Sequence, residues 1–479
     1  MRLKQKITRL LCTLLACQLF TTTAYAKPDW PSDTGIQAES GIVMDMDSGA
    51  ILFGQNIHVS YAPASITKLL TALIVLEHSS LDEMVTFSET AVNSVEPDSG
   101  NKLGSVAGDQ LTVEDCLYGM LLVSSNQAAN ALAEHVAGSI SGFVDLMNEK
   151  LAELGCEESH FDNPSGLNGD TQYVSAYDMA LIAQAAFENE DLLTIASTLS
   201  HKLGRTTNYP GGLTVDNEHR LINPNDEYYY SPAKAGKTGY LIAAGNTLVT
   251  YAEQDGRRLV SVILKGSPRQ YFLDCSELLA FGFRSFQNGT IADIEGRYVN
   301  GDEVLDLPGG SFKSSDLYID PEAQITLPLG AVLEDADLSI APLPEDHPDR
   351  AAALMTYTYN DRVVGSAFLL VKDDVAMPGD LSPEDPGTSD PAEESQPAEN
   401  PQPEADPQSS FSIGTILAIL AGVLAVALIA AAIAWISYSR KKEAEALARR
   451  RALRRQRLQQ SGEEEEFERL LAEWKNKRK

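Results

Sequence analysis

Cysteine is scarce in this chain: five residues in 479, and two of them, Cys12 and Cys17, fall in a leading segment that reads as an export signal. The remaining three, Cys116, Cys156 and Cys275, are odd in number and have no Cys-x-x-Cys spacing. That argues against a disulfide framework and against a cysteine metal site, and leaves buried thiols as the better reading. Histidine is also sparse. His58, His78, His135, His160, His201, His219 and His347 form no His-x-x-x-His or related pattern, so neither a zinc peptidase nor a Ser-His-Asp hydrolase is suggested. Positive charge is the third shortage. The total of 37 Lys and Arg against 68 Asp and Glu gives −31, but residues 440–479 hold 14 basic and 8 acidic side chains and residues 1–26 hold four basic ones. Subtraction leaves 19 basic against 60 acidic residues for the stretch between, which excludes nucleic acid as a partner of that part.

The two ends agree on a topology. Arg2, Lys4, Lys6 and Arg9 precede an apolar run from Leu10 to Phe20, and Ala24-Tyr25-Ala26 supplies a small-x-small cleavage site, so residues 1–26 are expected to leave as a signal peptide. Leu14-Leu15-Ala16-Cys17 is a poorer fit to lipoprotein processing. Residues 413–436 are uncharged and rich in Ala, Leu, Ile and Val, long enough at about 1.5 Å per residue to cross a bilayer as a helix. Trp435 and Tyr438 sit at one edge, and Arg440, Lys441 and Lys442 follow. A positive flank stays in the cytoplasm, so the preceding residues are expected outside a single-pass cell-membrane protein. The tail, residues 437–479, is basic and then mixed in charge.

Residues 378–410 are mostly Pro, Glu, Asp, Ser and Gln, and cannot bury enough apolar surface to fold. Such a linker could hold the folded part up to about 100 Å from the membrane, at ~3 Å per residue. Residues 27–287 alternate strand-like and helical patterns. Ile42–Met44 and Ala50–Phe53 flank the turn Asp47-Ser48-Gly49, and Thr247–Tyr251 and Leu259–Leu264 flank Asp255-Gly256, two hairpin signals. Ile66–His78, Val113–Leu122 and Gln127–Val136 carry apolar residues at three- and four-residue spacing. Strands at both ends with helices between predict an α+β fold, an antiparallel sheet covered by a helical cluster. Residues 288–377 change to short apolar runs, Val304–Leu307, Leu317–Ile319, Ala353–Tyr359 and Val363–Val371, which read as a small all-β domain.

Three strings in one order carry the chemistry: Ser65-Ile66-Thr67-Lys68, Ser124-Ser125-Asn126 and Lys237-Thr238-Gly239. Any one alone is weak evidence: a serine three residues before a lysine is expected about once or twice by chance in such a chain, and a Lys-Thr-Gly about a tenth of a time. Ser65 falls at the start of an apolar helix with Lys68 one turn later on the same face. A free hydroxyl is a weak nucleophile, and a desolvated lysine can serve as its base near neutral pH. A hydroxyl at Ser124 can relay a proton, and an amide at Asn126 can bind substrate backbone or hold Lys68. Lys237 and Thr238 offer a cation and a hydroxyl to a terminal carboxylate, with Gly239 permitting close approach before Tyr240.

These motifs, with Asn163-Pro164-Ser165-Gly166-Leu167 and the run Ala235 to Tyr240, resemble the low-molecular-mass penicillin-binding proteins of the serine D-alanyl-D-alanine carboxypeptidase type. The resemblance spans residues from roughly 30 to 375. It implies Ser65 as acyl-ester nucleophile, Lys68 as base, Ser124 and Asn126 as relay and hydrogen-bonding partners, and Lys237, Thr238, Gly239 and Tyr240 as the substrate-binding strand. The backbone N–H groups of Ser65 and Tyr240 would form the oxyanion hole. It further implies peptidoglycan stem peptides as substrate, β-lactam antibiotics as covalent inhibitors, and no metal or organic cofactor. Departures are Ser125 where relatives often have glycine, Gln172-Tyr173 where a His-Tyr pair is common, and a full membrane span where a short amphipathic anchor is usual. Rival readings are a transpeptidase of the same fold, a non-catalytic wall-binding scaffold, and a β-lactamase. The last wants Glu-x-x-Leu-Asn, and Glu218 to Asn223 misses that spacing by one residue.

Overall fold

The computed structural model describes residues 27–377, apart from 33, 96–98, 168 and 345. The signal segment, linker, expected span and tail lie outside the described residues. By compactness the chain divides into residues 1–385 and 386–479, and the described residues all belong to the first unit.

A five-stranded sheet organises the first part. Its strands are β1 (Ser40–Asp45), β2 (Ile51–Gln55), β3 (Ala233–Leu241), β4 (Gly245–Gln254) and β5 (Arg257–Gly266), in the order β2-β1-β5-β4-β3. Every pairing is antiparallel. The two expected hairpins are present, each strand longer than its apolar run. Both faces are covered, so all six residues of β1 are buried and no polar alternation marks it. Ile42 and Met44 of β1, with Val260, Val262 and Leu264 of β5, meet the helical cluster. Val43, Leu259 and Ile263 face the other way.

The helices are α1 (Lys68–His78), α2 (Val113–Leu122), α3 (Asn126–Ala137), α4 (Ile140–Glu153), α5 (Ala176–Glu188) and α6 (Gln270–Ser285), with shorter ones at Glu89–Asn93 and Glu190–Ser197. The side chains of Thr112 and Ser125 accept the backbone N–H groups of Asp115 and Ala128, capping α2 and α3. Gly138, with φ of 73°, ends α3 in a left-handed cap that a branched side chain would strain. Helices α1 to α5 pack as one cluster on the sheet, with Phe143, Phe161 and Phe187 buried among them, each side chain adding roughly 1.5–3 kcal/mol by burial. Helix α6 covers the opposite face, together with Leu221 and Ile222. It lies so close at Gly282 that an added side chain would come within 2.7 Å of Leu259 Cδ1.

Beyond α6 a second antiparallel sheet follows: β6 (Phe286–Thr290), β7 (Leu317–Ile319), β8 (Gln324–Pro328), β9 (Asp337–Ala341), β10 (Ala351–Tyr359) and β11 (Arg362–Val371), in the order β6-β8-β11-β10-β9, with β7 on β11. Val304–Leu307 instead pairs with Gly310–Lys313 as a separate ribbon. This sheet has its own core around Tyr357, Tyr359 and Leu369. The expected boundary at 287/288 falls inside β6, whose Phe286 belongs to the core beneath the first sheet. Buried Asp45 of β1 joins the two sheets: Asn288 Nδ2 donates to it at 2.9 Å and Arg257 Nη2 at 3.3 Å.

Candidate active site

The three motifs meet at the open edge of β3. Ser65 lies not in the first turn of an α-helix, as the periodicity from Ile66 suggests, but in a 3-10 turn, Ala64–Thr67, that runs into α1 at Lys68. The turn is fixed from several sides. Ala64 has φ of 53°, a left-handed conformation that costs a non-glycine residue energy and persists only where packing enforces it. Thr67 Oγ1 donates to Ala64 O at 2.9 Å, and Thr247 Oγ1 of β4 donates to Pro63 O at 2.9 Å. Gly166 crosses so close that a side chain there would lie 1.9 Å from Ala64 O.

Lys68 is wholly buried. Its Nζ lies 2.9 Å from Ser65 Oγ, 2.8 Å from Asn126 Oδ1 and 2.5 Å from the Ser165 carbonyl oxygen. Two of these partners can only accept. A neutral amine has two N–H bonds and one lone pair, so donating to Asn126 and Ser165 leaves the lone pair for the Ser65 hydroxyl proton. Burial pushes the Lys68 pKa well below its usual value, and the positive charge of Lys237 adds to the fall. The geometry and the electrostatics therefore both favour a base at this position.

Strand β3 comes against the serine through Gly239. An added side chain there would lie 2.4 Å from Thr247 Oγ1 and 2.9 Å from the Ser65 backbone nitrogen, so only glycine permits the contact. Lys237 is buried, and its Nζ donates to Thr238 O at 3.1 Å. Desolvation lowers its pKa to about 8; Glu218 opposes that fall and Lys102 deepens it. Thr238 is half-buried and Tyr240 is exposed.

Ser124 links α2 to α3 with φ of 63°, a second strained residue at the site. Its hydroxyl makes no hydrogen bond to a described residue, unlike Asn126, which binds Lys68 directly. Ser125 has a structural role that glycine could not fill, since its Oγ accepts Ala128 N at 3.2 Å. Gln172 stitches the loop that presents Ser165. It donates to Leu167 O at 2.7 Å and accepts from the backbone of Asp162 and Asn163 at 3.2 and 3.4 Å. Asn163 Oδ1 accepts the backbone N–H groups of Ser165 and Gly166.

The Ser165 carbonyl and Thr247 are the contributions that sequence reasoning missed. Ser165 stands in a quoted motif, but a main-chain acceptor has no side-chain signature. Glu218, the residue closest to a lactamase-like pattern, pairs with Lys102 and makes no hydrogen bond to Ser65 or Lys68. Cys116, Cys156 and Cys275 are buried and unpaired, with thiol pKa values raised by desolvation, which makes them unreactive.

A serine whose proton partner is a buried lysine, beside a glycine-bearing strand edge on an α+β sheet with a helical cluster, defines an active-site serine enzyme of the penicillin-recognising kind. Comparison with known proteins gives the family. Residues 24–267 match the family model described as D-alanyl-D-alanine carboxypeptidase, peptidase S11. The D-alanyl-D-alanine carboxypeptidase DacF of Bacillus subtilis is 30% identical over 306 residues, covering 60% of this chain and 76% of that protein. DacB2 of Mycobacterium tuberculosis, described by the same activity, is 35% identical over 264 residues, 53% of this chain and 84% of that protein. Penicillin binding protein 5 from Haemophilus influenzae, a solved structure, is similar with a TM-score of 0.57 and 25% identity over 71% of this chain and 98% of that one. The chain belongs to the D-alanyl-D-alanine carboxypeptidase family and is a serine peptidase.

Proposed function

We propose that the chain removes the terminal D-alanine from peptidoglycan stem pentapeptides through an acyl-enzyme on Ser65. The observation that carries this is the buried Lys68 amine, 2.9 Å from Ser65 Oγ with its other bonds committed to two acceptors. Lys68 takes the Ser65 proton as Oγ attacks the carbonyl carbon of the penultimate residue. The oxyanion falls to the backbone N–H groups of Ser65 and Tyr240, worth about 10²–10³ in rate for one such donor. The C–N bond then breaks, the proton returns to the leaving amine through Ser124, and free D-alanine departs. Water cleaves the ester by the same route in reverse, restoring the Ser65 hydroxyl. Lys237 and Thr238 hold the terminal carboxylate, which places the C-terminal end of the substrate toward Lys237 and the stem toward Leu241.

The same reading places the catalytic part in residues 27–287, a small β domain in 288–377, a linker in 378–410, a membrane helix in 413–436 and a cytoplasmic tail in 437–479, with the enzyme outside the cell membrane. The leader, the uncharged run and the Arg440–Lys442 flank support it. Among the described residues no helix is long and apolar enough to cross a membrane.

The test is covalent trapping. Attack by Ser65 Oγ on a β-lactam carbonyl opens the ring without losing an atom, so the protein should gain the whole mass of the antibiotic on the Ser65 peptide. Ser65→Ala should gain none; an adduct elsewhere, or no adduct, contradicts the assignment.

A further inference from the structure

We propose that the Lys102–Glu218 ion pair closes the carboxylate end of the cleft and makes the site select substrates that end in a free carboxylate. The inference rests on the reading of Lys237 as carboxylate clamp given above.

Position along β3 is the first argument. Gly239 abuts the Ser65 backbone, Lys237 comes two residues earlier, and Gly236 one earlier again. At Gly236 an added side chain would lie 2.5 Å from His219 Nε2, so the segment carrying Glu218 and His219 packs against the strand there. Travel from the reacting carbonyl past the terminal carboxylate therefore leads toward Glu218. Lys102 Nζ meets Glu218 Oε1 at 2.5 Å.

Both partners are held by ordered backbone. Gln127 Nε2 donates to Gly100 O at 3.2 Å, Asn101 spans to Ser105 at 2.8 and 3.1 Å, and Asn208 Nδ2 donates to Gly104 O at 2.6 Å, which fixes the Lys102 loop. Glu218 N donates to Leu122 O at 3.0 Å, at the end of α2. Neighbouring Asn217 donates to Ala196 O and Thr198 O, both at 3.0 Å. The backbone on both sides of the pair is thus tied into the fold.

Electrostatic reach is the second argument. Glu218 favours, and Lys102 opposes, the protonated forms of both Lys68 and Lys237. The side chains of Lys102 and Glu218 are 46% and 40% exposed, and a surface pair of that kind contributes little to stability. What it changes is the field at the clamp. Paired, the two charges nearly cancel, so the terminal carboxylate is drawn by Lys237 alone. A peptide that continues past its terminal residue meets a filled end carrying a carboxylate.

The experiment uses the full-length protein with two substrates, an acyl-D-alanyl-D-alanine peptide and the same peptide extended by glycine. At about pH 6, below the Lys237 pKa of about 8, Glu218→Gln leaves the Lys102 charge uncompensated and should lower KM for the free-carboxylate substrate about threefold, and Lys102→Met should raise it about threefold; because the pair also acts on Lys68, the acid limb of kcat should move down in the first variant and up in the second. Exchange of the two charges, Lys102→Glu with Glu218→Lys, should restore wild-type KM. Both shifts should vanish in ~1 M NaCl, where screening is nearly complete. Removal of both side chains, Lys102→Ala with Glu218→Ala, should raise cleavage of the extended peptide at least about tenfold relative to the free-carboxylate one. KM changes of the same sign in the two single variants, or shifts that survive high salt, would overturn the proposal. The acylation rate with benzylpenicillin, which carries its own carboxylate, should show the same opposite shifts. Absent D-alanine release with those shifts present counts against the peptidase reading alone; acylation without them counts against the ion pair.

Discussion

Lys68 Nζ and the carbonyl oxygen of Ser165 are 2.5 Å apart although 97 positions separate them in the chain. The contact binds α1 to the Asn163–Leu167 loop and gives the lysine an acceptor that cannot donate back. With Asn126 Oδ1 as the second, the amine is oriented toward Ser65 before any substrate arrives.

Replacing the lysine by a residue that stays charged should therefore abolish its use as a base. A guanidinium does not lose its proton in proteins, so Lys68→Arg should reduce kcat by about 10²–10⁴. The check is D-alanine release alongside circular dichroism to show that the variant is folded.

Activity should describe a bell in pH. In the proposed mechanism Lys68 works deprotonated, so the rate rises with pH through its lowered pKa, and Lys237 works protonated, so binding fails as pH passes about 8. The alkaline limb should then appear in kcat/KM near pH 8. Lys237→Arg, which keeps its charge, should carry that limb upward by at least about two pH units while the acid limb stays. A limb unmoved by the substitution would show that another group sets it.

Gly239→Ala tests the approach of β3 to the nucleophile. The new methyl would lie 2.4 Å from Thr247 Oγ1 and 2.9 Å from Ser65 N, and the strand must move away. A displacement of about 1 Å at the reacting atoms should cost about 10²-fold in kcat. The measurement is steady-state release of D-alanine, with β-lactam acylation slowed in parallel.

Gln172→Ala should act through stability. It strips three hydrogen bonds from the backbone around Asp162, Asn163 and Leu167, in a side chain that is 9% exposed. Leaving such groups unpaired costs about 1–3 kcal/mol, read as a lowered midpoint in urea unfolding. Gln172→His, which keeps polar atoms at the position, should lose less.

The residues that the sequence exposes well are those whose role is local. The apolar spacing over Val113–Leu122 coincides with α2 at both ends, and the structure adds the Thr112 cap. Strand β1 showed only a three-residue apolar run at Ile42–Met44, since burial on both faces removes the alternation that would mark its ends. The catalytic serine motif was legible as residue types. The 3-10 turn that presents Ser65 was not, because the left-handed Ala64 is imposed by Gly166 and by Thr247 from distant segments. Main-chain groups such as Ser165 O escape for the same reason: any residue type could supply them, and only the fold says which does.

The central claim is that Ser65 and Lys68 together hydrolyse the terminal peptide bond of a D-alanyl-D-alanine substrate. Its most direct measurement is D-alanine released from an acyl-D-alanyl-D-alanine peptide by the full-length protein, beside Ser65→Ala. The account predicts steady release by the wild type and none above background from the variant. Equal release by both proteins, or none by either, would contradict it.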